Sequence, residues 1–233
     1  MTLASRIIPV LLCKGRTLVK GTRFVNDRVV GVAMQAAKIH AARGVDELLM
    51  IDVAATGEGR TIDLAMVEEL TDGNFCPVTV GGGVRTLTDI KALLRAGADK
   101  VLIGAAARED IAFVLEASNS FGSQAIVVAL DWPEETVISA VQMAEAGAGE
   151  ILCNNAQRDG TMEGYDVHVI ADVARQVDVP VIACGGCRDY ADMASAIYAG
   201  ASAVAAGALF QFTDATPRGA AQYLADRGIP VRL

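Results

Sequence analysis

Two stretches of the sequence match each other without a gap: PVTVGGGVRTLTDIKALLRAGADKVLIGAA at residues 77–106 and PVIACGGCRDYADMASAIYAGASAVAAGAL at residues 180–209. The offset is 103 residues, and it also pairs Gly44 with Gly147, Glu47 with Glu150 and Asp52 with Asn155 upstream. Within the two stretches the identical pairs include Pro77 and Pro180, Gly82 and Gly185, Gly83 and Gly186, Arg85 and Arg188, Asp89 and Asp192, Gly97 and Gly200, and Gly104 and Gly207. A shared pattern of strands and helices alone would not preserve so many polar identities, so the repeat indicates an internal duplication.

The order of apolar and amphipathic segments predicts the fold around this repeat. Eight short apolar runs, from RIIPVLL at Arg6 to AVAAGAL at Ala203, alternate with segments of helical period such as those at 31–44, 86–98 and 190–201. Continuous apolar strands that alternate with helices are typical of a parallel sheet covered by helices. Because eight such units fill 233 residues, we predict an α/β fold, a (βα)₈ TIM barrel with two-fold internal duplication, as a single domain over residues 1–233.

The composition favours a protein that acts on a small molecule. A formal net charge of −8 argues against electrostatic binding to nucleic acid or to an anionic membrane. No apolar run approaches the length of a membrane span. The five cysteines are scattered through apolar segments, which favours a reducing compartment, and we expect the cytoplasm. Cys184 and Cys187 form a C-x-x-C, but no second pair completes a zinc site, and we expect no metal.

Glycines at the ends of predicted strands form two sets that suit phosphate groups. In barrels of this type the chemistry lies at the C-terminal ends of the strands, and phosphates bind where backbone N–H groups of glycine turns are free. We call Gly82, Gly83 and Gly104 the first cup, and Gly185, Gly186 and Gly207 the second cup. Two opposed cups suit an elongated ligand with a phosphate at each end; the alternative is that these glycines serve only tight turns.

Several polar residues follow the predicted strands and are candidates for chemistry. They are Asp52, Asp131, Asn154 and Asn155 at strand ends, with Asp159 and Thr161 in the next loop. Asp131 follows the apolar run AIVVAL, where an unpaired carboxylate would be costly unless it faces a solvated opening. The alternative is an aspartate that caps the next helix. Because neither histidine lies at a strand end, acid–base work would depend on carboxylates.

A second charged group is expected at the opposite end of the barrel. Arg6, Glu47, Lys100 and Glu150 precede or open four of the predicted strands, so they converge at the barrel floor. Two cations and two anions there can form a ring of salt bridges around the axis. Ordinary stabilisation of the barrel bottom is an equally good interpretation of the spacing alone.

Over nearly the whole chain, segments such as DELLMID, VTVGGGVR, FGSQAIVVALD and RDGTMEGYD resemble the cyclase subunit family of imidazole glycerol phosphate synthase. The resemblance implies a lyase that takes ammonia from a glutamine amidotransferase partner at the barrel floor, with Arg6, Glu47, Lys100 and Glu150 as the ammonia gate. It implies that Asp131 is an acid–base residue and that Lys20 with Asp52 positions a phosphorylated substrate. The cups, with Asn154, Asp159, Gly160 and Thr161, would bind that substrate, and no cofactor is implied.

The sequence departs from this family pattern at the predicted opening. The family has two aspartates there, and the first falls on Leu12, which cannot accept a proton. Gly104 and Ala105 replace polar residues, Gln157 replaces an acid, and the segment after Asp131 is shorter. These changes favour paralogues from surface-polysaccharide pathways, where an amidine is made on a sugar.

Three alternatives remain open at this point. In the first, the chain is a genuine cyclase of histidine biosynthesis in which another base replaces the missing aspartate. In the second, it is a non-catalytic subunit that conducts ammonia or activates the glutaminase. A sibling sugar-phosphate isomerase shares the duplication and the cups. Leu12 counts against the isomerase too, because it also uses aspartates at both positions, and the complete floor constellation counts further against it.

Overall fold

The computed structural model describes residues 3–73, 76–133 and 137–233, and of Asn26 only the backbone. The described residues form ten strands: β1 (Arg6–Lys14), β2 (Thr17–Thr22), β3 (Val25–Val32), β4 (Leu48–Asp52), β5 (Val78–Gly81), β6 (Lys100–Ile103), β7 (Ile126–Trp132), β8 (Glu150–Asn155), β9 (Val181–Cys184) and β10 (Ala203–Ala206). Eight of them, β1 and β4 to β10, pair in parallel with their neighbours along the chain. β10 also pairs in parallel with β1, from Arg6 opposite Ala203 to Pro9 opposite Ala206, so the sheet closes into a barrel.

Helices follow the barrel strands and cover them. They are α1 (Ala33–Ala42), α2 (Leu64–Thr71), α3 (Leu87–Arg95), α4 (Ala105–Glu109), α5 (Ile111–Phe121), α6 (Val137–Glu145), α7 (Val167–Ala174), α8 (Tyr190–Tyr198), α9 (Ala208–Phe212) and α10 (Pro217–Ala225), with a 3₁₀ turn at Ser123–Ala125. The predicted (βα)₈ TIM barrel is confirmed. Of the short segment predicted between Asp131 and the next helix, residues 134–136 lie outside the described residues.

The barrel interior is apolar between its two ends. Ile8, Leu49, Leu102, Val127 and Leu152 are among the buried side chains that fill it. Their continuous burial separates the charged groups at the strand starts from the polar groups at the strand ends. Other buried clusters fill the space between strands and helices, as expected for parallel strands that are buried on both faces.

The two stretches at the offset of 103 residues make the same local contacts. Thr86 and Asp189 cap α3 and α8, each accepting a hydrogen bond from the backbone N–H three residues later. Asp89 and Asp192 then accept from the backbone N–H groups of the two equivalent arginines, each at 3.0 Å. We refer to the chain from β1 to α5 as the first half and from β7 to α10 as the second half.

A β-hairpin that the sequence pattern did not predict extends from β1. β2 pairs antiparallel with β1 and β3 pairs with β2, and the two-residue turn between them is Arg23 and Phe24. Both residues are in the left-handed region, with φ of 56° and 62°. This conformation usually selects Asn or Gly, so Arg-Phe gave no turn signal. Contacts with the β8–α7 loop hold it, because Arg23 N donates to Asp159 O at 2.8 Å and Arg23 Nε donates to Gln157 O at 2.9 Å.

Candidate functional site

A cavity of about 200 Å³ opens at the C-terminal ends of the barrel strands, and we call it the mouth cavity. Both cups line it, together with two residues of the hairpin, Lys20 and Phe24. The first half also contributes Leu12, Ile51 and Arg85, and the second half contributes Asp131, Asn154, Asp159 and Gly160. Most of the residues predicted for substrate binding therefore meet in one place.

Asp131 and Asn154 form the polar side of the mouth cavity. They lie opposite each other in the β7–β8 pairing, and Asn154 Nδ2 donates to Asp131 Oδ1 at 2.8 Å. Because only the amide nitrogen can donate to a carboxylate, this bond fixes the orientation of the Asn154 side chain. Asn154 Oδ1 is buried and has no hydrogen-bond partner among the described residues. The pair thus offers a ligand one carboxylate and one unsatisfied acceptor.

Leu12 and Ile51 form the apolar side of the same cavity. They are paired in the β1–β4 register, and Ile51 is the residue 103 positions before Asn154. Neither side chain exchanges a proton. The acid–base groups of the mouth cavity are therefore unevenly divided between the two halves.

Lys20 and Asp159 form an ion pair beside the second cup. Lys20 Nζ lies 2.8 Å from both carboxylate oxygens of Asp159, and the lysine side chain is 3% exposed. Lys20 Cε lies 3.9 Å from the position that a Cβ on Gly207 would occupy. Because the Lys20 side chain is buried and has two short contacts with Asp159, this ion pair is costly to separate. Separation would leave an unpaired charge away from water.

The glycines of the cups differ in what surrounds them. Gly82 and Gly83 have φ of 115° and 68°, and a Cβ on either would lie within 2.4 Å of a backbone oxygen of the β4–α2 region. In the second half, Gly185 and Gly186 also have positive φ, of 82° and 98°, and a Cβ on either would lie within 2.6 Å of a backbone oxygen. Tight turns therefore account for these four glycines without a ligand. Gly104 is different, because a Cβ there would meet nothing within 4 Å, so its missing side chain leaves open space.

Arg6, Glu47, Lys100 and Glu150 form a closed ring at the N-terminal ends of the strands, the floor ring. Arg6 lies 2.6 Å from Glu47 and 2.8 Å from Glu150, and Lys100 lies 3.0 Å and 2.7 Å from the same two carboxylates. Burial alone would raise the pKa of Glu150, but hydrogen bonds from Arg6 and Lys100 outweigh it and lower that pKa. Both carboxylates have both cations as partners, so every member of the floor ring has its charge compensated twice.

The sequence profile of the histidine biosynthesis protein family matches residues 6–216. The chain belongs to this family. The match spans the barrel from the first residue of β1 to the residue that caps α10, and the family includes the cyclase subunits that the sequence resembles. It is thus a TIM-barrel protein of the histidine-biosynthesis type.

Two residues predicted for the substrate of this family member do not line the mouth cavity. Asp52 is buried and accepts hydrogen bonds from Gly15 N, Ala54 N and Arg60 Nη1 at 3.2, 3.0 and 2.7 Å. It joins the β1–β2 turn to the loop after β4, and it does not line the mouth cavity. Thr161 donates to Arg158 O at 2.9 Å within its own loop. Ile51 lines the cavity, and successive side chains of a strand point to opposite faces, so the Asp52 side chain points away from the barrel axis.

Phe24 and Arg85 also line the cavity and were not among the predicted site residues. Phe24 reaches it from the hairpin turn, where its backbone is in the left-handed region. Arg85 reaches it from the loop after β5 and forms a two-contact ion pair with Glu109, at 2.7 and 3.3 Å. The repeat drew attention to Arg85, because Arg85 and Arg188 are an identical pair. It did not show that the Arg85 side chain lines the cavity.

The C-x-x-C pair of this family member also lines the mouth cavity, and its chemistry is that of neutral thiols. Burial raises the pKa of Cys184 and of Cys187 to about 12. Thiols with such pKa values are protonated near neutral pH and are poor nucleophiles and metal ligands. Among the described residues, no group of three or more His, Cys, Asp or Glu side chains is placed to hold a metal ion.

None of the described helices is long and apolar enough to span a membrane.

Proposed function

We propose that this protein is an ammonia-using synthase or lyase subunit of the imidazole glycerol phosphate synthase type. It receives ammonia from a glutamine amidotransferase partner and adds it to a phosphorylated substrate. The observation that carries the proposal is the combination of the closed floor ring, the apolar barrel interior and a carboxylate at the other end of that interior. In an isomerase, a ring of this kind would serve only to stabilise the barrel floor.

The floor ring supports an entrance for a small neutral molecule. Charged or strongly hydrated species are expensive to move through an apolar interior, whereas neutral ammonia is small and carries no charge. The four residues of the floor ring lie around the barrel axis. Displacement of the Lys100 side chain would open a path for ammonia from the floor into the barrel interior. The two carboxylates remain compensated by Arg6 during that displacement, because Arg6 contacts both.

The mouth cavity supports acid–base chemistry on a nitrogen nucleophile. Asp131 takes a proton from the incoming nitrogen or gives one to a leaving group. Asn154 holds this carboxylate through Nδ2, and its free Oδ1 accepts a hydrogen bond from an N–H of the nucleophile or substrate. Lys20 and Asp159 bind the substrate beside the second cup, and the cups take its phosphate groups.

The apolar pair of Leu12 and Ile51 supports a substrate other than the histidine intermediate. A reaction that needs two opposed acid–base groups to close a ring would lose about 10²- to 10⁴-fold in rate when one is absent. Addition of ammonia to a single activated carbon needs fewer proton transfers. Amidination of a sugar-linked group, in a diverged branch of the family, matches that requirement.

Isotope incorporation tests the proposal directly. Small molecules that copurify with the protein are identified by mass spectrometry and incubated with the protein and ¹⁵N-ammonium chloride at alkaline pH. We expect ¹⁵N in a product, and we expect D131N, purified in the same way, to lose that incorporation. A wild-type protein that incorporates no ¹⁵N into any copurified compound would contradict the proposal.

Genetic complementation tests the divergence. We expect the protein not to restore growth of a cyclase-deficient histidine auxotroph supplied with its own glutaminase subunit. Robust growth would instead identify a genuine histidine-pathway cyclase that has replaced the base missing at Leu12.

A further inference from the structure

Arg85 and Arg188 occupy equivalent positions of the repeat but have different surroundings. Arg85 lines the mouth cavity beside the first cup, and its counterion is Glu109, at the end of α4. Arg188 does not line the cavity; its side chain pairs with Asp189 at 3.1 Å and Asp192 at 3.2 Å, which cap and open the helix that follows it. The same local motif therefore holds one arginine at the cavity and the other away from it.

The pair of Arg85 and Glu109 is easily separated. The two side chains are 47% and 57% exposed, and exposed ion pairs of this kind contribute little to stability. Glu109 does not line the mouth cavity, so its negative charge is not part of the ligand surface. An anion in the first cup can therefore take over the guanidinium while Glu109 returns to water.

Lys20 and Arg85 are the two cations among the described residues that line the cavity. Lys20 lies beside the second cup, buried, with its charge balanced by Asp159, which lines the cavity as well. The second cup thus presents little net positive charge. The first cup has a cation with a counterion outside the cavity, so the two cups are electrostatically unequal.

We propose that Arg85 is an anion-binding residue of the first cup, held by Glu109 until a ligand arrives, and that this cup takes the more highly charged end of the substrate. A phosphomonoester dianion is the chemical class that suits it, because the planar guanidinium donates two parallel hydrogen bonds to phosphate oxygens. The second cup takes the end of lower charge. This inference rests on the proposed function only for the identity of the substrate.

Site-resolved phosphate titration tests the inference. Inorganic phosphate is titrated into the full chain at pH 8, and the backbone amides of Gly82 and Gly185 are followed by ¹⁵N NMR, so that the two cups are read separately. We expect R85Q to weaken binding at Gly82 about tenfold and R85K to recover part of that loss, since lysine keeps the charge but not the fork. E109Q should tighten binding about threefold, because the guanidinium no longer has a competing carboxylate.

R188Q is the matched control, since it removes the equivalent arginine of the other half. It should change binding at either glycine by less than about twofold. The proposal is overturned if wild-type protein shows no saturable phosphate binding at Gly82, or if R85Q and R188Q have equal effects. It is also overturned if E109Q weakens binding, because the ion pair would then act as a clamp that shapes the cup.

The titration contains neither ammonia nor a partner protein. Failure of ¹⁵N incorporation with the expected phosphate results would therefore reject the proposed reaction and keep Arg85 as an anion-binding residue. The opposite pair of results would keep the reaction and reject the role of Arg85.

Discussion

The two halves of the barrel share the repeat and its helix-cap contacts but differ in chemistry at the mouth. The first half presents Leu12 and Ile51 at the positions where the second half presents Asp131 and Asn154. Conversely, the cation with an exchangeable counterion, Arg85, belongs to the first half. Under the two proposals made above, the second half transfers protons and the first half holds the more charged end of the ligand.

The largest expected effect comes from moving the carboxylate between the halves. D131N should lower ammonia-dependent turnover about 10²- to 10⁴-fold, because it removes the proton acceptor at the cavity. The double variant L12D/D131N should not recover activity, since Ile51 has no amide to orient a carboxylate at position 12. Turnover is measured by ¹⁵N incorporation, with thermal unfolding to verify that each variant is folded. Recovery in the double variant would mean that the halves are interchangeable.

The floor ring should respond unequally to loss of its two equivalent glutamates. Glu47 also accepts a hydrogen bond from Thr79 at 2.5 Å and is 3% exposed, whereas Glu150 is 12% exposed and the residue equivalent to Thr79 is Ile182. We expect E47Q to lower the free energy of unfolding by about 3 kcal/mol and E150Q by about half of that, because a more buried charge pair costs more to break. Urea unfolding measures both. Equal losses would show that the Thr79 contact and the deeper burial add nothing.

A buried histidine should give the first half a pH dependence that the second half lacks. Burial, with a contribution from the nearby Arg43, lowers the pKa of His40 to about 4 from an ordinary value of 6.5. Between these values the unfolded chain binds the proton and the folded chain does not, so stability falls as the pH is lowered from 6.5 to 4. The contribution lost is at most about 3 kcal/mol.

Met143 is the equivalent residue of the second half and is equally buried, which makes H40M the matched variant. We expect urea unfolding of H40M to show a shallower decline between pH 6.5 and 4 than that of the wild-type protein. Parallel declines would mean that His40 is protonated in the folded state.

The smallest expected effects come from adding one methyl group to each cup. G104A should lower the free energy of unfolding by about 1 kcal/mol, because open space surrounds the new Cβ but the backbone ψ of −94° lies outside the regions that alanine prefers. It should weaken phosphate binding at the first cup about fivefold, since the methyl group occupies the space of the ligand. G207A should cost about 1 kcal/mol of stability, because its Cβ lies 3.2 Å from Val10 O. Unchanged phosphate binding in G104A would contradict the open space at the first cup.

The fold and the floor ring were predictable because they depend on periodic, local information. Apolar strands at regular spacing define the barrel, and the residue that opens each strand necessarily lies at the floor. Arg6 and Lys100 open β1 and β6, and Glu47 directly precedes β4, so their meeting follows from the topology. The polar residues at the ends of β7 and β8 were predictable for the same reason, and Asp131 and Asn154 do line the mouth cavity.

Which of two adjacent residues at a strand end faces the cavity depends on the sheet, and the sequence alone did not decide it. Asp52 follows Ile51, which lines the cavity, so its side chain points to the opposite face, where Gly15, Ala54 and Arg60 donate to it. The hairpin that carries Phe24 has no turn signal, because its left-handed residues are held by contacts with a distant loop. Such contacts join residues that are far apart in sequence, and no local pattern encodes them.

By itself the sequence determined the barrel, the repeat and the charged residues at each end of the strands, since these follow from periodicities of a few residues. The tertiary structure decided which of those charges are committed and which are available. Lys20 and Asp159 are 139 residues apart and are paired only because the hairpin folds over the second half. Arg85 and Arg188 share a local motif, yet Arg85 alone finds its partner on another helix, because that helix lies next to the first cup. Charge availability depends on packing between distant elements, so it appears only in the folded chain.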